Sequence, residues 1–250
     1  MSRNYEILRE TEKGRNLFIP PSPPVSPHNG NGNGHRRQAD LRGIAHEEIL
    51  KLVQRVFLRS GGEAPQLVVF SGVDGACGCS SICVQVAEAL ASQVGSPVCL
   101  IDGNLRTPSL HRLFGLAQDE GLTDAVFQAG PARRFAHRLN GGNLFLLTAG
   151  SPGAENHFFM NLERLHARLM ELRGEFAHIL IDAPPLNAFA DAQAFGRIAD
   201  GLVLVVEANS TRRESARKAK ESLEAAQVKL LGVALNMRTF PIPERFYQKF

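Results

Sequence analysis

Leu67 to Leu90, LVVFSGVDGACGCSSICVQVAEAL, constrains the fold more than any other stretch of the chain. It reads as an apolar strand, a Gly-rich loop and a helix. Leu67-Val68-Val69-Phe70 is a short run of β-formers bounded by Pro65 and Gly72. From Ser80 onward the residues are helix formers with apolar side chains on most faces, as in a helix packed against a sheet. A Gly-rich turn entering a helix points backbone N–H groups at one place, and the helix N-terminus favours an anion there.

Further strands of the same kind follow. Val98 to Asp102 and His178 to Asp182 are apolar runs that each end in an acid, and four uninterrupted apolar residues suit a strand covered on both faces. Asn143 to Thr148, Gly201 to Ala208 and Lys229 to Asn236 are three more. Helical patterns cover His46 to Leu58, Glu155 to Leu172 and Thr211 to Ala226. Strands alternating with helices predict a three-layer α/β domain, a mainly parallel sheet flanked by helices. In such sheets sites lie at the carboxyl ends of the strands, where Asp102, Asp182 and the loop after Phe70 all fall.

The N-terminal part reads differently. Residues 1–18 suit a short amphipathic helix carrying Tyr5, Ile7, Leu8, Leu17 and Phe18. Residues 19–40 are Pro-rich and then Asn/Gly-rich, a composition that cannot bury a core and reads as a disordered linker. The domain is expected over 41–238, followed by a C-terminal tail over 239–250. A net charge of +3 gives no nucleic-acid signal. No apolar run reaches the roughly 18 residues of a membrane span, and the N-terminus lacks the apolar core of a signal peptide. A cytoplasmic protein is expected. Three of the four cysteines, Cys77, Cys79 and Cys83, crowd the central loop and helix start. Their spacing matches no standard metal pattern, and a small, easily buried side chain is the plain alternative.

The loop has the layout of a P-loop, whose consensus ends Gly-Lys-Ser/Thr. Here it ends Gly78-Cys79-Ser80, so the lysine that reaches the β- and γ-phosphates is a cysteine. Ser80 is placed to put a hydroxyl on Mg²⁺, or else to cap the helix. Asp182 occupies the strand-end position of the acid that holds Mg²⁺ in P-loop NTPases; a turn or helix cap is the alternative for it and for Asp102.

The segments VCLIDGNLRTPSLHRLFGL, GLTDAV, FAHILIDAPPL, ADGLVLVVEA and LLGVALN resemble the bacterial tyrosine kinases of capsule and exopolysaccharide synthesis, over about residues 44–238. That family belongs to the deviant-Walker P-loop ATPases, with the cell-division and partition ATPases. The resemblance implies ATP and Mg²⁺ as cofactors, with nucleotide held by Gly75, Ala76, Cys77, Gly78, Cys79, Ser80 and Ser81. It implies Asp102 as the base for a tyrosine hydroxyl, and Ser80, Asp102 and Asp182 around the metal. Asn236 fits the Asn that contacts adenine in related ATPases. It also implies a membrane co-polymerase partner that would place the chain at the inner face of the membrane, and leaves a homo-oligomer open. The chain departs from the family at several positions. Cys79 replaces the lysine, Asn104 replaces the second acid of the Asp-x-Asp motif, and Asp74 stands where partition ATPases have their signature lysine. Glu48, Lys51 and Gln54 are an eroded Glu-x-x-Arg-x-x-Arg oligomer motif, and the tail has one tyrosine, Tyr247. These departures imply a degenerate, pseudokinase-like regulator. An active kinase and, more remotely, a positioning ATPase are the alternatives.

Overall fold

The computed structural model describes residues 5–8, 33–58, 64–151 and 161–238. The strands are β1 (Tyr5–Leu8), β2 (Leu67–Gly72), β3 (Val98–Asp102), β4 (His137–Arg138), β5 (Leu144–Leu147), β6 (His178–Ala183), β7 (Gly201–Glu207) and β8 (Leu230–Arg238). The helices are α1 (Asn33–Val56), α2 (Cys79–Gln93), α3 (Leu110–Leu113), α4 (Leu122–Phe127), α5 (Leu162–Glu175), α6 (Asp191–Ile198) and α7 (Arg213–Ala225), with a 3-10 turn at Ala132–Phe135. All strands form one eight-stranded sheet in the order β1-β8-β7-β2-β6-β3-β5-β4. Every neighbouring pair is parallel except the short β4–β5 pair at one edge. The expected three-layer α/β architecture is what forms.

Side chains alternate across the pleat, so each strand feeds two cores. On one face Val68, Phe70, Leu100, Leu180, Val203 and Val205 pack with α1 and α2. On the other, Val69, Ile101, Ile181 and Leu204 pack with α4, α5, α6 and α7. Fully burying one side chain such as Phe70 or Phe195 contributes about 1.5–3 kcal/mol.

The amino ends of the strands are fastened together, away from the site. Asp200 Oδ2 accepts hydrogen bonds from the Gln66 and Leu67 amides at 2.7 and 2.8 Å. Arg173 donates to Asp200 Oδ1 at 2.7 Å, and the Gln66 side-chain amide donates to the carbonyls of Arg173 and Phe176. This ties β2, β7 and the end of α5 at one point.

Two N-terminal expectations change. Tyr5–Leu8 is a strand rather than part of a helix, parallel to β8 with Tyr5 opposite Ala234. A short isolated helix is marginal, whereas an open sheet edge offers a row of unpaired amides and carbonyls. Residues 33–40, expected in the linker, belong to α1. Loop-like composition ends at Gly34, and His35 to Leu41 contains the good helix formers Arg, Gln, Ala and Leu. Residues 9–18 of the expected helix, the rest of the expected linker, 19–32, and the tail with Tyr247 lie outside the described residues.

Candidate nucleotide site

The site is built where three neighbouring strands end. In the register, Phe70 of β2 and Asp102 of β3 both pair with Asp182 of β6. The Gly-rich loop and both acids therefore leave the sheet side by side, at the carboxyl ends of β2, β6 and β3.

The loop has little conformational freedom. A Cβ on Gly72 would collide with Cys77 Sγ, so no side chain is tolerated there. Ala76 and Gly78 adopt left-handed backbone conformations, with φ of 63° and 75°. Alternation of this kind turns successive N–H groups into a concavity that takes an anion. Gly78 is the N-cap of α2 and receives no side-chain cap. Ser80 thus lies inside the first turn and is not the helix cap. Gly75 and Ala76 are exposed at the loop tip, as is Ser81 on the helix.

The two acids differ in their surroundings. Asp102 is fully buried, but its Oδ2 accepts from the Ser109 and Leu110 amides, both at 3.0 Å, and its Oδ1 from the Asn104 amide at 3.2 Å. It organises the loop into α3. Burial nevertheless pushes its pKa up to about 6. Asp182 is 1% exposed, and neither of its oxygens has a hydrogen-bond partner. The Ser80 hydroxyl and Cys79 thiol face it without reaching hydrogen-bonding geometry. Burial, then the neighbouring Asp102 charge, push its pKa up to about 7.

The remaining expected residues fall around this centre. Asn236, expected at the adenine, donates its side-chain amide to the Cys77 carbonyl at 2.8 Å. This contact uses one of the two donor hydrogens of its amide. Cys77, Cys83 and Cys99 are buried, and all four thiols are free. Burial raises the Cys77 pKa to about 11 and that of Cys99 to about 12, and holds Cys79 and Cys83 well above the usual thiol range. Among the described residues, no three His, Cys, Asp or Glu side chains converge as a metal site. Asn104 accepts from the Thr107 amide at 3.3 Å, and Lys51 pairs with Glu47 and Glu48 on its own helix.

Several supporting residues were not singled out from the sequence. Asn187 donates to Asp74 Oδ1 and to the Ser215 carbonyl, both at 3.2 Å, and so links the loop to α7. Ser71 donates to the Pro184 carbonyl at 2.7 Å, and the Leu186 amide to the Gly72 carbonyl at 2.9 Å. Arg106 pairs with Asp191 at 3.1 Å and lies over the Phe189 ring at 4.6 Å. These contacts pin the segment after Asp182 against the loop. The run Ala183-Pro184-Pro185-Leu186-Asn187 was the available signal, because two prolines fix its direction.

A divalent cation fits the unpartnered Asp182 carboxylate and the Ser80 hydroxyl. A phosphate group fits the backbone cradle. At Cys79 the chain offers a neutral thiol.

The family described as cellulose biosynthesis protein BcsQ matches residues 65–232. The tyrosine-protein kinase YwqD of Bacillus subtilis is 33% identical over 159 residues, 64% of this chain and 67% of that protein. The chain belongs to the BcsQ-like and bacterial tyrosine kinase-like P-loop family. Another member, the putative tyrosine-protein kinase CapB of Staphylococcus aureus, is 30% identical over 72% of this chain and 78% of its own length. Among solved structures, the chimerical protein CapA2B2 superposes with a TM-score of 0.71 at 28% identity, covering 79% of this chain and 86% of that one. Among the described residues, no helix is long and apolar enough to cross a membrane.

Proposed function

We propose that this chain is a bacterial tyrosine kinase-like protein of polysaccharide biosynthesis that has lost efficient phosphoryl transfer and acts as a regulatory partner of a membrane co-polymerase. The observation that carries this reading is the placement of Cys79 beside Asp182. The acid faces a neutral thiol where its relatives' motif has a lysine. Phosphoryl transfer depends on positioning and on stabilising charge. Losing one donor to developing charge typically costs about 10²–10³ in rate. The change at Asn104 removes a second charge that assists the metal.

ATP and Mg²⁺ are the family's cofactors, and nucleotide binding by the backbone cradle is retained in this reading. When bound, the metal ion would neutralise phosphate charge. The loop amides from Gly75 to Ser81 would orient the phosphates, and Ser80 and Asp182 would hold the metal. Asp102 would shape the neighbouring loop through its three amide contacts.

The partner follows from the family's place beside a co-polymerase. The chain would sit at the inner face of the membrane through that partner. Incubation with Mg²⁺ and ATP is expected to yield no phosphotyrosine, and pull-down from detergent extracts to recover a membrane protein with two spans. Phosphotyrosine on the purified chain would establish the alternative of an active kinase. The left-handed Ala76 and Gly78 of the loop and the unpartnered Asp182 carboxylate facing Ser80 support that alternative. Recovery of soluble partners alone would remove the co-polymerase from the account.

A further inference from the structure

We infer that the Gly-rich loop holds a nucleoside diphosphate at least as tightly as the corresponding triphosphate. This rests on the nucleotide-site reading above and goes beyond it by naming the ligand. A P-loop has two working halves. Its backbone amides cradle the α- and β-phosphates, and its lysine reaches the β- and γ-phosphates. In this chain the first half is intact. Ala76 and Gly78 are left-handed, α2 begins without a side-chain cap, and Asn236 fixes the loop through the Cys77 carbonyl.

The second half lacks its cation. Cys79 is a thiol, and beside it stands Asp182, 1% exposed with both oxygens unpartnered. The charged neighbour that acts on Asp182 is a second acid, Asp102, directly opposite it on β3. Asp74, also in the loop, is met by the neutral amide of Asn187. Ser80 and Asp182 would hold a divalent cation, which would neutralise phosphate charge in either nucleotide. A third phosphate would then add negative charge beside the Cys79 thiol, where no ammonium from that position meets it. In an intact P-loop the lysine makes that phosphate an advantage. Here the advantage is gone.

The test is calorimetric titration of the full chain with ADP and with ATP at fixed Mg²⁺, alongside Cys79→Lys and Cys79→Ser. For the unmodified chain the ADP dissociation constant is expected to equal or lie below that for ATP. Cys79→Lys is expected to move the ratio toward ATP by about ten- to a hundredfold, the value of one charge-assisted hydrogen bond. Cys79→Ser is expected to leave it unchanged. ATP binding more than about tenfold tighter than ADP in the unmodified chain would overturn the inference. So would binding of neither nucleotide, or an unchanged ratio in a folded Cys79→Lys variant. The unmodified chain decides the matter even if the lysine variant fails to fold. Phosphotyrosine is scored in parallel. Its appearance with ADP still preferred would overturn the non-kinase reading and support this inference. Preference for ATP without phosphotyrosine would do the reverse.

Discussion

The side-chain amide of Asn236 donates to the Cys77 carbonyl at 2.8 Å, joining β8 to the Gly-rich loop across 159 positions of sequence. The same amide closes the space beside Gly78, where an added Cβ would lie 2.5 Å from Asn236 Nδ2. Asn236→Ala leaves a carbonyl of the loop unpaired, so a stability loss of about 1–3 kcal/mol is expected. Urea unfolding measures it. Nucleotide affinity should fall by more than the stability change alone explains, because the cradle loses its brace. Equal affinity in a folded variant would show that the loop holds its shape without Asn236.

Asp182 sets a pH dependence of stability. Its folded pKa, about 7, lies above the ordinary carboxylate value of 3.8. The folded state therefore holds a proton that the unfolded state releases. This contribution is full below the unfolded pKa and is lost as pH rises through about 7. Asp102, raised to about 6, acts in the same direction. Asp182→Asn should flatten the slope between these limits and raise stability at pH 8, by an amount on the order of a few kcal/mol at most. Thermal unfolding from pH 4.5 to 8 reads both effects. An unchanged slope in the variant would place the titrating group elsewhere.

Mg²⁺ should act in the opposite sense, because a metal ion favours the ionised acid. The rise in melting temperature on adding Mg²⁺ with nucleotide is expected to be larger at pH 8 than at pH 5.5, and absent in Asp182→Ala. A rise that survives in Asp182→Ala would move the metal away from this residue.

Gly103 gives a steric test of the same centre. Its amide donates to the Asp182 carbonyl at 2.8 Å. A Cβ there would lie 2.7 Å from Ile181 Cγ2 and 3.0 Å from Phe195 Cε2. Gly103→Ala should cost about 1–3 kcal/mol, as overpacking does, and displace the β3 end from Asp182. Denaturant unfolding checks the first effect and Mg²⁺-dependent nucleotide titration the second.

The thiols should be slow to react while the chain is folded. Burial keeps Cys77 and Cys99 protonated, at about 11 and 12, and thiolate is the reactive form. Mass spectrometry after iodoacetamide at pH 7.5 should find these two unmodified in native protein and modified in urea. Rapid native labelling of Cys77 would show that the loop opens.

The strands that end in acids were legible because unbroken apolar runs need two covered faces, and Val98–Asp102 and His178–Ala183 have them. The short pieces between Asp102 and β5 were not. α3, α4 and the 3-10 turn are each too brief for a period to show, and tertiary contacts such as Glu171 accepting from the Ala132 amide at 2.8 Å define them. At the site, residue types announced the location but not the allegiance of each group. Nothing local to Asp102 says that three amides converge on it, because two belong to residues seven and eight positions on. Asn236 is likewise committed to a loop far behind it in sequence.

The fastening at Asp200 lies at the opposite end of β2 and β7 from the Gly-rich loop. Rigidity is therefore anchored at one edge of the molecule and chemistry displayed at the other. Substitutions in the loop, at Cys79 for example, leave that anchorage untouched. Such a scaffold lets the loop change residue by residue while the sheet beneath it stays constant.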